Sequence, residues 1–153
     1  MGELRCPLMC RSEQEDTLSE RWSRMSKWAD NDLEAKVLAV LAAVPTQPNG
    51  HAFGRPFVSA YQLAIGLERS FPGLAVALGK PLGGSGAGQQ DSLTQYVANE
   101  LSKRIHADPQ FPVEGAFLSN ADAREITYSG PDGGDVKSSL VGSPFDLSLF
   151  RLR

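Results

Sequence analysis

Cysteine and histidine are scarce in this chain, with two of each in 153 residues, and that scarcity argues against a structural zinc site. Cys6 and Cys10 stand in a C-x3-C spacing within a polar N-terminal segment, far from His51 and His106. A structural zinc site takes four ligands, usually built from C-x2-C pairs. No metal and no cofactor are therefore expected, and the cysteines read as reduced thiols. A disulfide between them would need an oxidising compartment.

Long apolar runs are lacking as well. The longest, Val37 to Val44, falls well short of the about eighteen residues that a membrane span needs, so it reads as a core helix and no membrane partner is expected. No basic stretch followed by an apolar one stands near Met1, which gives a cytoplasmic expectation. Gly2 follows Met1, but Cys6 occupies the place where a myristoylation signal carries serine or threonine.

Catalytic signatures are missing too. The glycine-rich run at 79–91 places Lys80 before its glycines and Gln89 after Gly88. A phosphate-binding P-loop needs the reverse order, G-x4-G-K-[ST]. Alternating Gly84, Gly86 and Gly88 also depart from the dinucleotide fingerprint G-x-G-x-x-G, and Gly83 to Gly86 departs from the nucleophile elbow G-x-S-x-G. The expectation is a non-enzymatic protein. An enzyme with an anion-binding glycine loop is the third reading, because a helix N-terminus after free backbone amides suits an anion.

Present instead is an ordinary globular composition, 41% hydrophobic and 22% charged. The net charge of -3 is unevenly spread: residues 51–106 carry five Lys/Arg against three Asp/Glu, whereas both flanking regions are acidic. A local basic face could meet a few phosphates even on an acidic protein.

The patterning predicts a flexible tail over 1–16 and a single globular domain over 17–153. Leu18, Trp22, Met25 and Ala29 recur at helical spacing, giving an amphipathic leading helix over 17–30 on which Trp22 and Trp28 are candidate docking residues. A helical core follows over 31–106. Asn31 with Glu34 forms a capping-box pattern before Leu33, Val37, Leu38, Val40, Leu41 and Val44, and Pro45 stops that helix. Ser59 with Gln62 repeats the pattern for a helix that ends before Pro72. Gly66 inside it costs about 1 kcal/mol relative to alanine and marks close helix packing.

Ser92 with Gln95 starts the last helix, whose apolar stripe is Leu93, Tyr96, Val97, Leu101 and Ile105. Its other side presents Gln95, Asn99, Ser102, Lys103 and His106, with Glu100 on one flank. From 107 the period changes to strands. Val113 to Ser119 and Glu125 to Ser129 read as a hairpin, then Val136 to Val141 and Phe145 to Leu152 as two further strands, with Phe145, Leu147 and Leu149 alternating with polar residues.

Helices followed by a hairpin give an α+β fold whose layout resembles winged-helix DNA-binding domains over Asp32 to Tyr128, with a long glycine-rich insertion. That resemblance implies a DNA-binding or regulatory role, with 93–106 as recognition helix and Val113 to Ser129 as wing. Gln95, Asn99, Lys103 and Arg104 would face the bases. Ser92, Lys80, Arg55 and Arg124 would meet phosphates, and the glycines would act as a hinge delivering the helix. The alternative is a protein-interaction or accessory subunit, or a homodimer, docking through the Trp22 and Trp28 helix.

Overall fold

The computed structural model describes residues 27–46, 53–85 and 91–153. The tail over 1–16 with Cys6 and Cys10, Trp22, His51 and the centre of the glycine-rich run lie outside the described residues. Contacts divide the chain into two compact units, Met1–Glu34 and Ala35–Arg153.

In the first unit residues 27–30 are helical and Trp28 is buried. Asn31, expected to cap the next helix, donates its side-chain amide back to the Lys27 carbonyl at 2.8 Å. Asp32 then takes a left-handed φ of 49°, a conformation that short Asp side chains tolerate, and helix α1 starts at Leu33 (Leu33–Ala42). Leu33, Val37 and Leu41 are buried at a spacing of four, one stripe of a helix, while Leu38, Val40 and Val44 are half-buried.

The second unit begins within α1, at Ala35, and also contains the remaining helices. Strand β1 (Val58–Ser59) leads into α2 (Ala60–Ser70), and the expected capping box is present. The Gln62 amide donates to Ser59 Oγ at 3.2 Å, and the Ser59 amide donates to Gln62 Oε1 at 2.8 Å. Gly66 marks a helix crossing: a Cβ there would lie 2.7 Å from Val40 Cγ1. Overpacking costs about 1–3 kcal/mol, against about 1 kcal/mol of helix propensity gained over glycine. Gly66→Ala is therefore expected to destabilise by about 1 kcal/mol in urea melts, and a Val40→Ala background should turn that loss into a gain. An unchanged effect in that background would reject the contact as its cause.

The short run after Pro72 forms one helical turn, α3 (Leu74–Leu78). The Glu68 carboxylate accepts from the amides of Gly73 and Ala75 at 2.8 and 2.9 Å, supplying acceptors where a helix start leaves N–H groups unpaired. Helix α4 (Leu93–Ala107) is capped by Ser92, whose Oγ accepts from the Gln95 amide at 3.2 Å. Leu93, Tyr96, Val97 and Leu101 are buried, and Ile105 is half-buried.

The strands are β2 (Val113–Leu118), β3 (Thr127–Ser129), β4 (Asp135–Lys137) and β5 (Leu147–Leu152). The fold is α+β, helices with small antiparallel sheets, but the sheets correct the expected pairing. β2 does not pair with β3 in a wing. It pairs along its whole length with β5, Val113 opposite Leu152 through Leu118 opposite Leu147. β5 also pairs with β1, giving the order β1-β5-β2, and β3 pairs only with β4.

The reason lies in burial. β5 contributes Leu147 and Phe150, each 2% exposed, and Val113 of β2 is also fully buried. A strand placed centrally covers both, whereas β3 is a short exposed ribbon with little to bury. The expected alternation is corrected at its start, since Phe145 is 68% exposed and precedes the strand.

Candidate functional site

The outward side of α4 carries Gln95, Asn99, Ser102, Lys103 and His106, all exposed as the helical period predicts. Three of these, Gln95, Asn99 and Ser102, line a groove of about 1090 Å³ together with Ser92, Phe117 and residues 138–141 and 143–148. Among the described residues, Asp146 is the only charged one in its lining.

Two buried or half-buried polar groups position the stretch over 138–148. Tyr61, on α2, accepts from the Ser139 amide at 3.0 Å and shares a hydrogen bond with Ser139 Oγ at 3.1 Å. Its ring stacks on Tyr128 at 5.8 Å. Asn120, just after β2, donates its side-chain amide to the carbonyls of Leu140 and Ser143, and its own amide donates to Asp146 Oδ1 at 2.8 Å. The stretch has almost no regular structure of its own, so these side chains supply the partners that a ladder would otherwise give.

The cations named from the sequence sit elsewhere. Lys103 and Arg104 both bind Glu100, at 2.9 and 2.7 Å, and Glu100 is only 4% exposed. Lys80 is buried against Asp91 and lies 4.8 Å from the Tyr96 ring centroid. Arg55 is half-buried, and its carbonyl, like that of Phe53, accepts from Arg151. Arg151 also binds Glu114 and stacks over Phe57, so the cation among these aromatics is a residue of β5. Arg124 is exposed in the connection between β2 and β3, and Trp28 is buried. The structure thus gathers Ser92, Gln95 and Asn99 at the groove and leaves Lys80, Lys103, Arg104, Arg55 and Arg124 outside its lining.

Of the described glycines in the run before α4, Gly83 and Gly84 are closely packed, whereas Gly79 has open space around it. Gly84 has φ of +112°, and a Cβ there would lie 2.9 Å from the Lys137 carbonyl oxygen. Ser85 donates its amide to that oxygen at 2.8 Å. The amides of Leu93 and Thr94 donate to the Pro81 and Leu82 carbonyls, closing the base of the glycine run on the first turn of α4. These two amides are thereby used up by protein acceptors.

Burial pushes the Glu100 carboxyl up, but hydrogen bonds and charge from Arg104 and Lys103 outweigh burial and hold it below the usual carboxylate value. A depressed folded-state value contributes stability that is present above the unfolded value and lost as pH falls through the folded one. Glu100→Gln is expected to lower stability at neutral pH and to flatten the acid side of the stability-pH curve. An identical acid limb in the variant would contradict the pairing.

Phe117 and the serines of 138–148 are groove residues that local patterning did not single out, and Phe145, expected on the apolar side of a strand, is exposed and lines the groove. Glu100 had a readable signal, since lysine and arginine at the third and fourth positions after a helical glutamate share its face. The second unit thus carries a groove lined mainly by hydroxyls and amides, with one carboxylate among the described residues. No family model matches the sequence, and no curated protein or solved structure is significantly similar to it. Among the described residues, no helix is long and apolar enough to cross a membrane, and no group of three or more His, Cys, Asp or Glu could hold a metal ion.

Proposed function

We propose that this chain is a non-enzymatic binding domain whose groove beside α4 receives an uncharged stretch of a partner protein. The observation that carries this reading is the lining itself. Gln95, Asn99 and the serine hydroxyls offer donors and acceptors to a backbone, Phe117, Val141, Pro144 and Phe145 offer apolar contact, and among the described residues only Asp146 bears charge. Neutral hydrogen-bonding groups beside exposed aromatics suit a peptide segment better than a polyanion.

A second reading keeps the same helix and takes DNA as ligand, in a regulatory role. It is favoured by the exposure of Gln95, Asn99 and Lys103 at a spacing of four on one face. Against it stands the charge pairing: Lys103 and Arg104 share Glu100, and Lys80 is spent on Asp91. Phosphate neutralisation dominates DNA affinity, and these three cations share two carboxylates, which leaves a single net positive charge among them.

One comparison separates the two. The protein is panned against a displayed library of short random peptides, and separately titrated with a labelled mixed-sequence duplex at low salt. The proposal expects enriched peptides whose binding is lost in Ser102→Trp, which fills the groove from an exposed position. Steeply salt-dependent duplex binding, reduced in Lys103→Ala/Arg104→Ala, would transfer the assignment to DNA.

A further inference from the structure

The three-stranded sheet ends at β2, and the outer edge of that strand has no backbone partner among the described residues. Exposed edges are normally blunted by lysine, proline, a bulge or a very short strand. β2 has none of these: it is six residues, VEGAFL, paired in continuous register. Its single charged residue, Glu114, is bound by Arg151 of β5. Gly115 and Ala116 are exposed, and so are Phe117 at 73% and Leu118 at 46%. The edge is therefore neutral, apolar and open.

We infer that β2 pairs with β2 of a second copy of this chain, antiparallel about a two-fold axis, joining two three-stranded sheets into one of six strands. A two-fold perpendicular to the sheet keeps each sheet face continuous only if the axis passes through a residue, because facing residues must point to the same side. The axis falls at Gly115 or at Ala116. In the first register Glu114 faces the partner's Ala116 and Val113 faces the partner's Phe117. In the second Glu114 faces the partner's Leu118. Neither opposes like charges, the arrangement that most disfavours strand pairing, and neither sets two large side chains against each other at the axis.

A two-fold contact requires one patch to complement itself, and a neutral strand meets that condition where a charged one would not. The partner's strand would supply acceptors and donors for the open backbone groups and cover Phe117 and Leu118. Phe117 also lines the groove, but the pairing rests on the backbone edge of β2 and not on what the groove binds.

The test is the oligomeric state of the full chain, read by sedimentation equilibrium over a wide concentration range. A monomer-dimer equilibrium is expected for the wild type. Phe117→Lys should weaken it by about tenfold or more, since in either register it puts a lysine on the apolar edge with no partner carboxylate opposite it, with unchanged far-UV circular dichroism. If Phe117→Lys fails to fold, Leu118→Glu decides, since it faces the partner's Pro112 in the first register and the partner's Glu114 in the second. A wild type that stays monomeric throughout overturns the proposal, as does a dimer that survives folded Phe117→Lys or Leu118→Glu. Wild-type monomers that bind an extended peptide through β2 also overturn it, in favour of a different partner. Loss of peptide binding at Ser102 leaves this result untouched, so the two proposals fail separately.

Discussion

Phe150→Ala is expected to lower the unfolding free energy by about 3–5 kcal/mol, the range for truncating a buried phenylalanine. Phe150 is 2% exposed and sits on the central strand, opposite Val58 of β1 and Gly115 of β2. Its ring underlies the only strand that holds the other two, so a cavity there loosens the sheet from its middle. Small domains have total stabilities of about 5–15 kcal/mol, which makes this loss a large fraction of the whole. Urea unfolding followed by circular dichroism measures it, with a lower midpoint and little change in slope. A loss below about 1 kcal/mol would place the ring outside the core.

Asp91→Asn is expected to cost about 2–3 kcal/mol, although Asp91 itself is largely exposed. The cost arises at Lys80, whose side chain is only 3% exposed and whose ammonium is bound by the Asp91 carboxylate. Removing one member of a buried pair strands the other charge, an effect worth about 3–5 kcal/mol in full burial; the accessible side of Asp91 admits water and reduces it. Lys80→Met, which keeps the buried stem and deletes the charge, should be much milder. In the Lys80→Met background Asp91→Asn should cost almost nothing, so the double-mutant cycle carries the result. Equal costs in both backgrounds would show that Asp91 acts through something other than Lys80.

These two sites also mark where the sequence was readable. Local chemistry was legible: the Ser59 and Gln62 box closes as its spacing dictates, Ser92 caps α4, and Gly66 lies against Val40. Such features depend on residues a few positions apart. The sheet was not legible, because β2 meets β5 across the whole intervening ribbon of β3 and β4, and turn residues near Asn120 favour a hairpin that burial then overrides. Asn120 itself bridges to Leu140 and Ser143.

The groove was half legible for the same reason. Helical periodicity exposes Gln95, Asn99 and Ser102, but the facing residues come from a stretch held by Tyr61 and Asn120, whose partners are remote in sequence. Cations read as free surface charge were committed to Glu100 and Asp91, pairings that depend on which carboxylates the fold buries or brings close.

The strand order β1-β5-β2 has a kinetic corollary. β5 follows both neighbours in the chain, so during synthesis β1 and β2 emerge with no strand to receive them. Helices α2 and α4 form from local contacts and can dock early, whereas sheet formation waits on loop closures of high sequence separation. Until Leu147 to Leu152 arrives, β2 is open along two edges rather than one, and the nascent chain passes through an interval in which Phe117 and Leu118 are most available for association with other chains.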